Sequence, residues 1–312
     1  MDQRRRDLCG RRHVCLLTMK KERKEMRKKL SVITGGSSGL GLAAARCLAS
    51  ETSVLLCARG AAGLEKAKAG LLTFGADVHI FQMDAADAEA AKACAEYAAG
   101  LGDVVNVIHT AGVSPANTKA EDILRINTLG PINIVQAFYP VMEEGGVVIC
   151  FGSTAGYVMD TNEKMAPLAP LAKQVYEKWK EPGFPALMMD FLADVMHLPE
   201  NARAGSAYCL SKNFVKYFVY ANTWRFAKKG CRILSVSPGS YLTPMHQALI
   251  DNAPESAERN LQGIPLQRWG HPYEMGKLVA FLCSKGAGYI TGVDILADGG
   301  CTFAGTVNQI GE

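Results

Sequence analysis

The sequence predicts an α/β fold: a doubly wound parallel sheet with helices on both faces, built by one domain over about residues 30–312. Three observations predict it. Short apolar, β-branched runs alternate with alanine-rich helical stretches, and glycine- and serine-rich turns follow the carboxyl ends of those runs. No internal repeat or low-complexity linker divides the chain.

The first run, residues 31–34, ends at Gly35-Gly36-Ser37-Ser38-Gly39-Leu40-Gly41, and an alanine-rich helix at 42–49 follows. Glycines at 35, 39 and 41 let the backbone turn sharply and approach a ligand closely. The helix N-terminus behind them offers free N–H groups to a pyrophosphate, so the turn is a candidate dinucleotide cradle. The second strand, 53–57, ends at Ala58-Arg59. An acidic residue at this strand end bonds ribose hydroxyls and repels a 2′-phosphate. Here alanine stands in that place and a guanidinium follows, so NADP(H) is favoured over NAD(H), with a solvated loop arginine as the other reading.

The third strand, 78–83, leads to Asp84, which either meets the adenine amino group or caps the helix beginning near Asp87. The fourth, 104–108, ends in His109-Thr110-Ala111-Gly112, where small residues leave room for a cofactor ring and His109 reads as a packed strand-end residue. A helical pattern over 123–139 contains Asn127, a polar group among apolar neighbours able to open the ladder and hold a water. The fifth strand, 147–151, precedes Gly152-Ser153-Thr154-Ala155-Gly156. Ligands of such sheets bind at the carboxyl ends of the strands, where Gly35, Arg59, Gly112 and Ser153 all fall. Farther on, Tyr208 and Lys212 stand four residues apart, on one face of a helix. A lysine ammonium beside a phenol favours the phenolate, which makes the pair a candidate proton-transfer group.

Composition bounds the function. The chain is 48% hydrophobic with mean hydropathy +0.04, and contains no apolar run long enough to span a bilayer. Its ten cysteines are scattered without a Cys-x-x-Cys pair and its six histidines are dispersed, so no metal site is expected and the protein reads as reduced and cytoplasmic. The net charge of +4 conceals two parts: residues 1–30 hold twelve Lys/Arg against four Asp/Glu, and the rest holds 22 against 26. The basic segment 1–29 reads as a flexible extension or a charged arm, with Met19 and Met26 as alternative starts. The mildly acidic body argues against nucleic acid, and no membrane partner is expected.

Together Thr34 to Gly41, Ala111-Gly112, Asn127, Ser153, Tyr208-x-x-x-Lys212, Ser237-Pro238-Gly239, Thr243-Pro244-Met245 and Asp298-Gly299-Gly300 resemble the short-chain dehydrogenase/reductase family. The resemblance spans about residues 30–302. It implies a Rossmann-type sheet of seven strands, NAD(P)-dependent hydride transfer between a secondary alcohol and a ketone, and assembly as a homodimer or homotetramer. Carried over, Tyr208 is the general acid or base and Ser153 bonds the substrate oxygen. Lys212 bonds the nicotinamide ribose and lowers the tyrosine pKa, and Asn127 holds a water linked to Lys212. Gly35, Ser37, Ser38, Gly39, Leu40, Gly41, Arg59, Asp84, Ala111, Gly112, Pro238, Gly239 and Thr243 complete the implied cofactor contacts.

Two departures stand out. His109-Thr110 replaces the asparagine pair usual before Ala-Gly, and 54 residues separate Ser153 from Tyr208, which implies a helical insertion at about 158–204. The insertion has helical stretches at 168–179 and 186–197 around Pro182-Gly183-Phe184-Pro185, the second one rich in Met and Leu. Either it packs on the domain or a partner subunit, or it walls an apolar substrate pocket. An insertion here is similar to the bacterial 3α-hydroxysteroid dehydrogenase/carbonyl reductase branch. That likeness, with Leu242, Met245, Leu249, Ile250 and Ile264 in the segment after Gly239, points to an apolar small-molecule substrate, a hydroxysteroid or bile acid. A broad-specificity carbonyl reductase and a catalytically silent dinucleotide-binding module are the alternatives.

Overall fold

The computed structural model describes residues 27–304, so most of the basic extension, residues 1–26, lies outside the described residues. Seven parallel strands form one sheet in the order β3-β2-β1-β4-β5-β6-β7. They are β1 (Lys29–Thr34), β2 (Ser53–Ala58), β3 (Val78–Gln82), β4 (Asp103–His109), β5 (Met142–Phe151), β6 (Arg232–Pro238) and β7 (Asp294–Ala297). The order reverses direction between β1 and β4, which opens a crevice at their carboxyl ends.

Side chains alternate across the sheet and divide the core in two. Leu30, Val32, Leu55, Cys57, Val148 and Cys150 point to one face, which carries helices α3 (Ala88–Leu101), α4 (Ala120–Phe138) and α7 (Glu200–Lys228). Ile33, Val54, Leu56, Val147 and Ile149 point to the other, under α1 (Gly39–Leu48), α2 (Ala61–Leu72) and α10 (Pro272–Cys283). Burial on both faces explains why the strands read as unbroken apolar runs in the sequence. Two further helices, α8 (Pro244–Asn252) and α9 (Pro254–Gln262), follow β6.

The insertion contributes α5 (Ala169–Glu177) and α6 (Phe184–Asp190), the second continuing as a π-helical turn, Phe191–Val195. Its large side chains turn inward. Phe184, Met188, Phe191 and Leu192 are buried in the same core layer as α4 and α7. Trp179 meets the Phe218 ring edge-on at 5.0 Å, and Tyr176 meets Phe214 at 5.6 Å while its hydroxyl donates to Leu210 O at 3.2 Å. The first of the two readings is therefore the observed one: the insertion thickens the domain behind α7, and none of its residues between Tyr157 and Ala207 lines the crevice.

Candidate active site

The site is built at the strand ends, starting with the glycine turn. Gly35 N and Gly36 N both donate to Cys57 O, at 2.8 and 3.3 Å, which locks the turn to β2. A Cβ on Gly41 would lie 2.4 Å from Gly35 O, so the turn can fold onto α1 only without a side chain there. Ser38 is the N-cap of α1, but its hydroxyl makes no capping bond. The first N–H groups of α1 therefore face the crevice unpartnered by that side chain.

The crevice holds about 1330 Å³ and runs from Arg59 at one end to α8 at the other. Gly35, Ser37, Ser38, Gly39, Leu40, Gly41, Arg59 and Asp84 line the first half, and Ala111, Gly112, Ser153, Tyr208, Lys212, Pro238, Gly239 and Thr243 line the second. Of the catalytic and cofactor-binding residues expected from the sequence, only Asn127 stands behind the wall. Asp84 does not cap α3. Asp87 does so, accepting from Glu89 N and Ala90 N, while Asp84 Oδ1 accepts from Ala86 N at 2.9 Å and the residue still lines the crevice. Arg59 uses its carbonyl to accept from Gln82 Nε2 at 2.8 Å. Thr243 lies across from Gly39, whose added Cβ would sit 3.6 Å from the threonine methyl.

Lys212 is buried at the floor. Its Nζ donates to Phe151 O at 3.0 Å and lies 5.8 Å from the centroid of the Tyr208 ring. Gly112 makes room for it, since a Cβ there would stand 3.1 Å from Asn127 Oδ1 and 3.5 Å from Lys212 Nζ. Burial lowers the lysine pKa from 10.5 to about 8, with Cys150 opposing the shift. Burial also pushes the Tyr208 phenol up, against a downward pull from the Ser153 side chain. Burial is the larger of these two effects.

Asn127 pins the loop after β4. Its Oδ1 accepts from Val113 N at 2.9 Å, and its Nδ2 donates to Val113 O at 3.0 Å and Ser211 Oγ at 3.3 Å. Its amide is thereby committed. Its main-chain carbonyl is left without a ladder donor, because Pro131, four residues on, carries no N–H. Pro131 is the signal in the sequence that marks where α4 releases a carbonyl from its ladder. A second group also went unread. Asn213 Nδ2 donates to Gly156 O at 2.7 Å, and Lys216 Nζ, buried over the Tyr157 ring, bonds Asp160 at 2.5 Å. These side chains fasten the short turn Thr154–Tyr157, whose N-cap is Ser153, to α7.

After Gly239 the expected apolar lining is only partly realised. Met245 lines the crevice, 59% exposed, but Leu242 points to solvent and Ile264 is buried under Gly299. Ile250 does not reach the crevice, and the Leu249 side chain lies outside the described residues. His246, which the sequence did not single out, does line it.

The sequence profile for short chain dehydrogenase matches residues 29–165, and that for enoyl-(acyl carrier protein) reductase matches residues 168–302. A short-chain dehydrogenase/reductase of Alternaria brassicicola is 30% identical over 268 residues, covering 85% of this chain and 93% of the relative. The chain belongs to the short-chain dehydrogenase/reductase family. Another member, the 3-alpha-hydroxysteroid dehydrogenase/carbonyl reductase of Comamonas testosteroni, is 30% identical over 195 residues, 61% of this chain and 69% of that protein. The fold matches a crystal structure of a single-site variant of actinorhodin polyketide ketoreductase with NADPH at TM-score 0.68 and 21% identity, over 88% of this chain and 97% of that one.

Short-chain dehydrogenase/reductases bind a nicotinamide dinucleotide, and the residues here fit one. The side-chain-free turn, the uncapped start of α1 and the long crevice past Gly112 are what an extended diphosphate ligand requires.

In this short-chain dehydrogenase/reductase the strand end usually held by asparagine is held by His109. It is buried, its Nδ1 is 2.8 Å from Thr34 Oγ1, and its Nε2 has no hydrogen-bond partner among the described residues. Burial, and secondarily the Lys212 charge, lower its pKa from 6.5 to about 3. Below pH 6.5 the unfolded chain takes up a proton that the folded chain refuses until about pH 3. Stability contributed by His109 is therefore lost as pH falls through that window. We expect the wild type to lose up to roughly 1.4 kcal/mol per pH unit more than His109→Asn between pH 6 and 4. Urea unfolding at each pH measures this, and parallel slopes for the two proteins would refute it.

Proposed function

We propose that this protein interconverts a secondary alcohol and a ketone, with NADP(H) favoured over NAD(H). The observation that carries the proposal is the meeting of Ser153, Tyr208 and Lys212 in the same crevice as the glycine cradle. When bound, the dinucleotide supplies or accepts the hydride. The chain's residues handle the oxygen and the proton. Ser153 Oγ hydrogen-bonds the substrate oxygen, and Tyr208 donates the proton that completes the alcohol or removes it in the reverse direction. Burial keeps the phenol protonated, which suits donation to a ketone oxygen. Lys212, with its pKa near 8, can resupply a proton at ordinary pH, and the Asn127 carbonyl freed by Pro131 offers a site for a connecting water.

Gly35, Ser37, Ser38, Gly39, Leu40 and Gly41 would hold the pyrophosphate, with Arg59 at a 2′-phosphate and Asp84 at the adenine. Lys212 would hold the nicotinamide ribose, between walls formed by Ala111, Gly112, Pro238, Gly239 and Thr243. The substrate proposed is a bulky cyclic alcohol or ketone of the hydroxysteroid class, supported by Val113, Pro115, Ala116 and Met245 at the far end. A broad-specificity carbonyl reductase is the second reading, favoured by the exposed Met245 and by an insertion that builds no wall. We further propose a homo-oligomer whose contacts on α4 and α7 include the insertion packed on them.

Tyr208→Phe is expected to lower turnover by roughly 10²–10⁴-fold while retaining dinucleotide binding. Assay of oxosteroids and simpler ketones with both dinucleotides checks this, and unchanged turnover would exclude the mechanism. Arg59→Ala is expected to weaken NADP(H) roughly tenfold or more with little change for NAD(H). Titration by fluorescence reads both constants, and equal losses would rule out the phosphate contact.

A further inference from the structure

Among the described residues, the charged side chains on the crevice are Arg59, Asp84 and Lys212. The first two lie on the dinucleotide half, and the Lys212 amine is tied down at Phe151 O. Beyond Tyr208 the polar lining is neutral: Ser114, Thr154, His246 and Asn252, set among Val113, Pro115, Ala116 and Met245. A carboxylate or phosphate placed at that end would lose its hydration without gaining a cation.

His246 is the built feature of this end. Its ring meets Trp269 edge-on at 4.6 Å, and its backbone N–H donates to Thr243 Oγ1 at 3.3 Å, so it is held from two sides. Neither ring nitrogen has a hydrogen-bond partner among the described residues, and Nε2 is buried as well. Packing closes off Nε2, so Nδ1, which keeps accessible surface and is unpaired among the described residues, is the nitrogen that a ligand in the crevice can reach. Burial disfavours the imidazolium, which leaves a neutral ring with one donor and one acceptor. Such a ring suits a hydroxyl or carbonyl oxygen.

We infer that the substrate is uncharged away from its reacting carbon and carries there a second hydroxyl or carbonyl group that His246 binds. This rests on the alcohol–ketone proposal and sharpens its substrate class: neutral, doubly oxygenated molecules are taken and their anionic counterparts refused.

The test uses near-isosteric ketones bearing ethyl, hydroxymethyl or carboxylate, on cyclohexanone at the 4-position and on 2-decalone at the 6-position. Two spans from carbonyl to far group are thereby sampled. Dissociation constants are measured for the full chain with NADPH in the Tyr208→Phe background, so that binding is read without turnover. On at least one scaffold the hydroxymethyl ketone should bind roughly 5–10-fold more tightly than the ethyl ketone. The carboxylate should bind at least roughly tenfold more weakly than the hydroxymethyl compound. His246→Phe, which keeps the packing on Trp269, should bring the hydroxymethyl-to-ethyl ratio to within about twofold, and His246→Lys should reverse the order in favour of the carboxylate. A carboxylate bound as tightly as the hydroxymethyl ketone, a ratio untouched by His246→Phe, or no binding of any compound overturns the inference. The predicted binding order without turnover by the wild type would instead overturn the alcohol–ketone proposal and leave the inference standing.

Discussion

A lysine amine buried under a strand end is the constraint on which the rest of the site depends. Shifting the Lys212 pKa from 10.5 to about 8 corresponds to roughly 3 kcal/mol against the charged form. That cost is tolerable only because the surroundings are arranged for it. Phe151 O accepts a hydrogen bond from the amine, Gly112 contributes no side chain, and Gly156 approaches the Lys212 main chain so closely that a Cβ would come within 2.7 Å of its carbonyl carbon. Gly112 therefore makes room for the amine, while Gly156 makes room for the main chain of Lys212 and Asn213. The long helix α7 can lie against the turn after β5 only because that turn is bare.

The same burial orders the neighbouring polar groups. Burial first, and the Lys212 charge second, keep His109 neutral, and its Nδ1 pairs with Thr34 Oγ1. Asn127 commits its amide to Val113 and Ser211, which fixes the loop bearing Gly112. Pro131 then leaves the Asn127 carbonyl as the backbone acceptor on α4 without its usual donor. On the other side, Asn213, Asp160 and Lys216 hold the turn that presents Ser153. Lys212, Asn127 and Asn213 are held by bonds to backbone groups, and His109 and Lys216 by bonds to side chains of other elements.

Much of this was legible because it is local. The glycine turn follows its strand directly, the Tyr208–Lys212 spacing is one helical turn, and buried parallel strands announce themselves as short apolar runs. What could not be read depends on contacts between distant residues. The aromatic pairs that seat the insertion, such as Trp179 with Phe218, join parts of the chain that no local pattern relates. Its methionines look the same whether they face a substrate or a core, and only packing against α4 and α7 decides. The weight of burial at Tyr208 was equally hidden, since helical spacing gives proximity and says nothing of desolvation. The expectation for Leu242 and Ile264 failed because hydrophobicity says nothing about which side of a loop faces the crevice.

The most direct test of this account is the titration of the Lys212 amine itself. NMR of protein carrying ¹³C-labelled lysine, with the Lys212 signal assigned by its loss in Lys212→Met, gives the midpoint. A buried amine under Phe151 O should titrate near pH 8. A midpoint at the ordinary lysine value of 10.5 would contradict the account, because the amine would then be either solvated or paired in a way this structure does not contain.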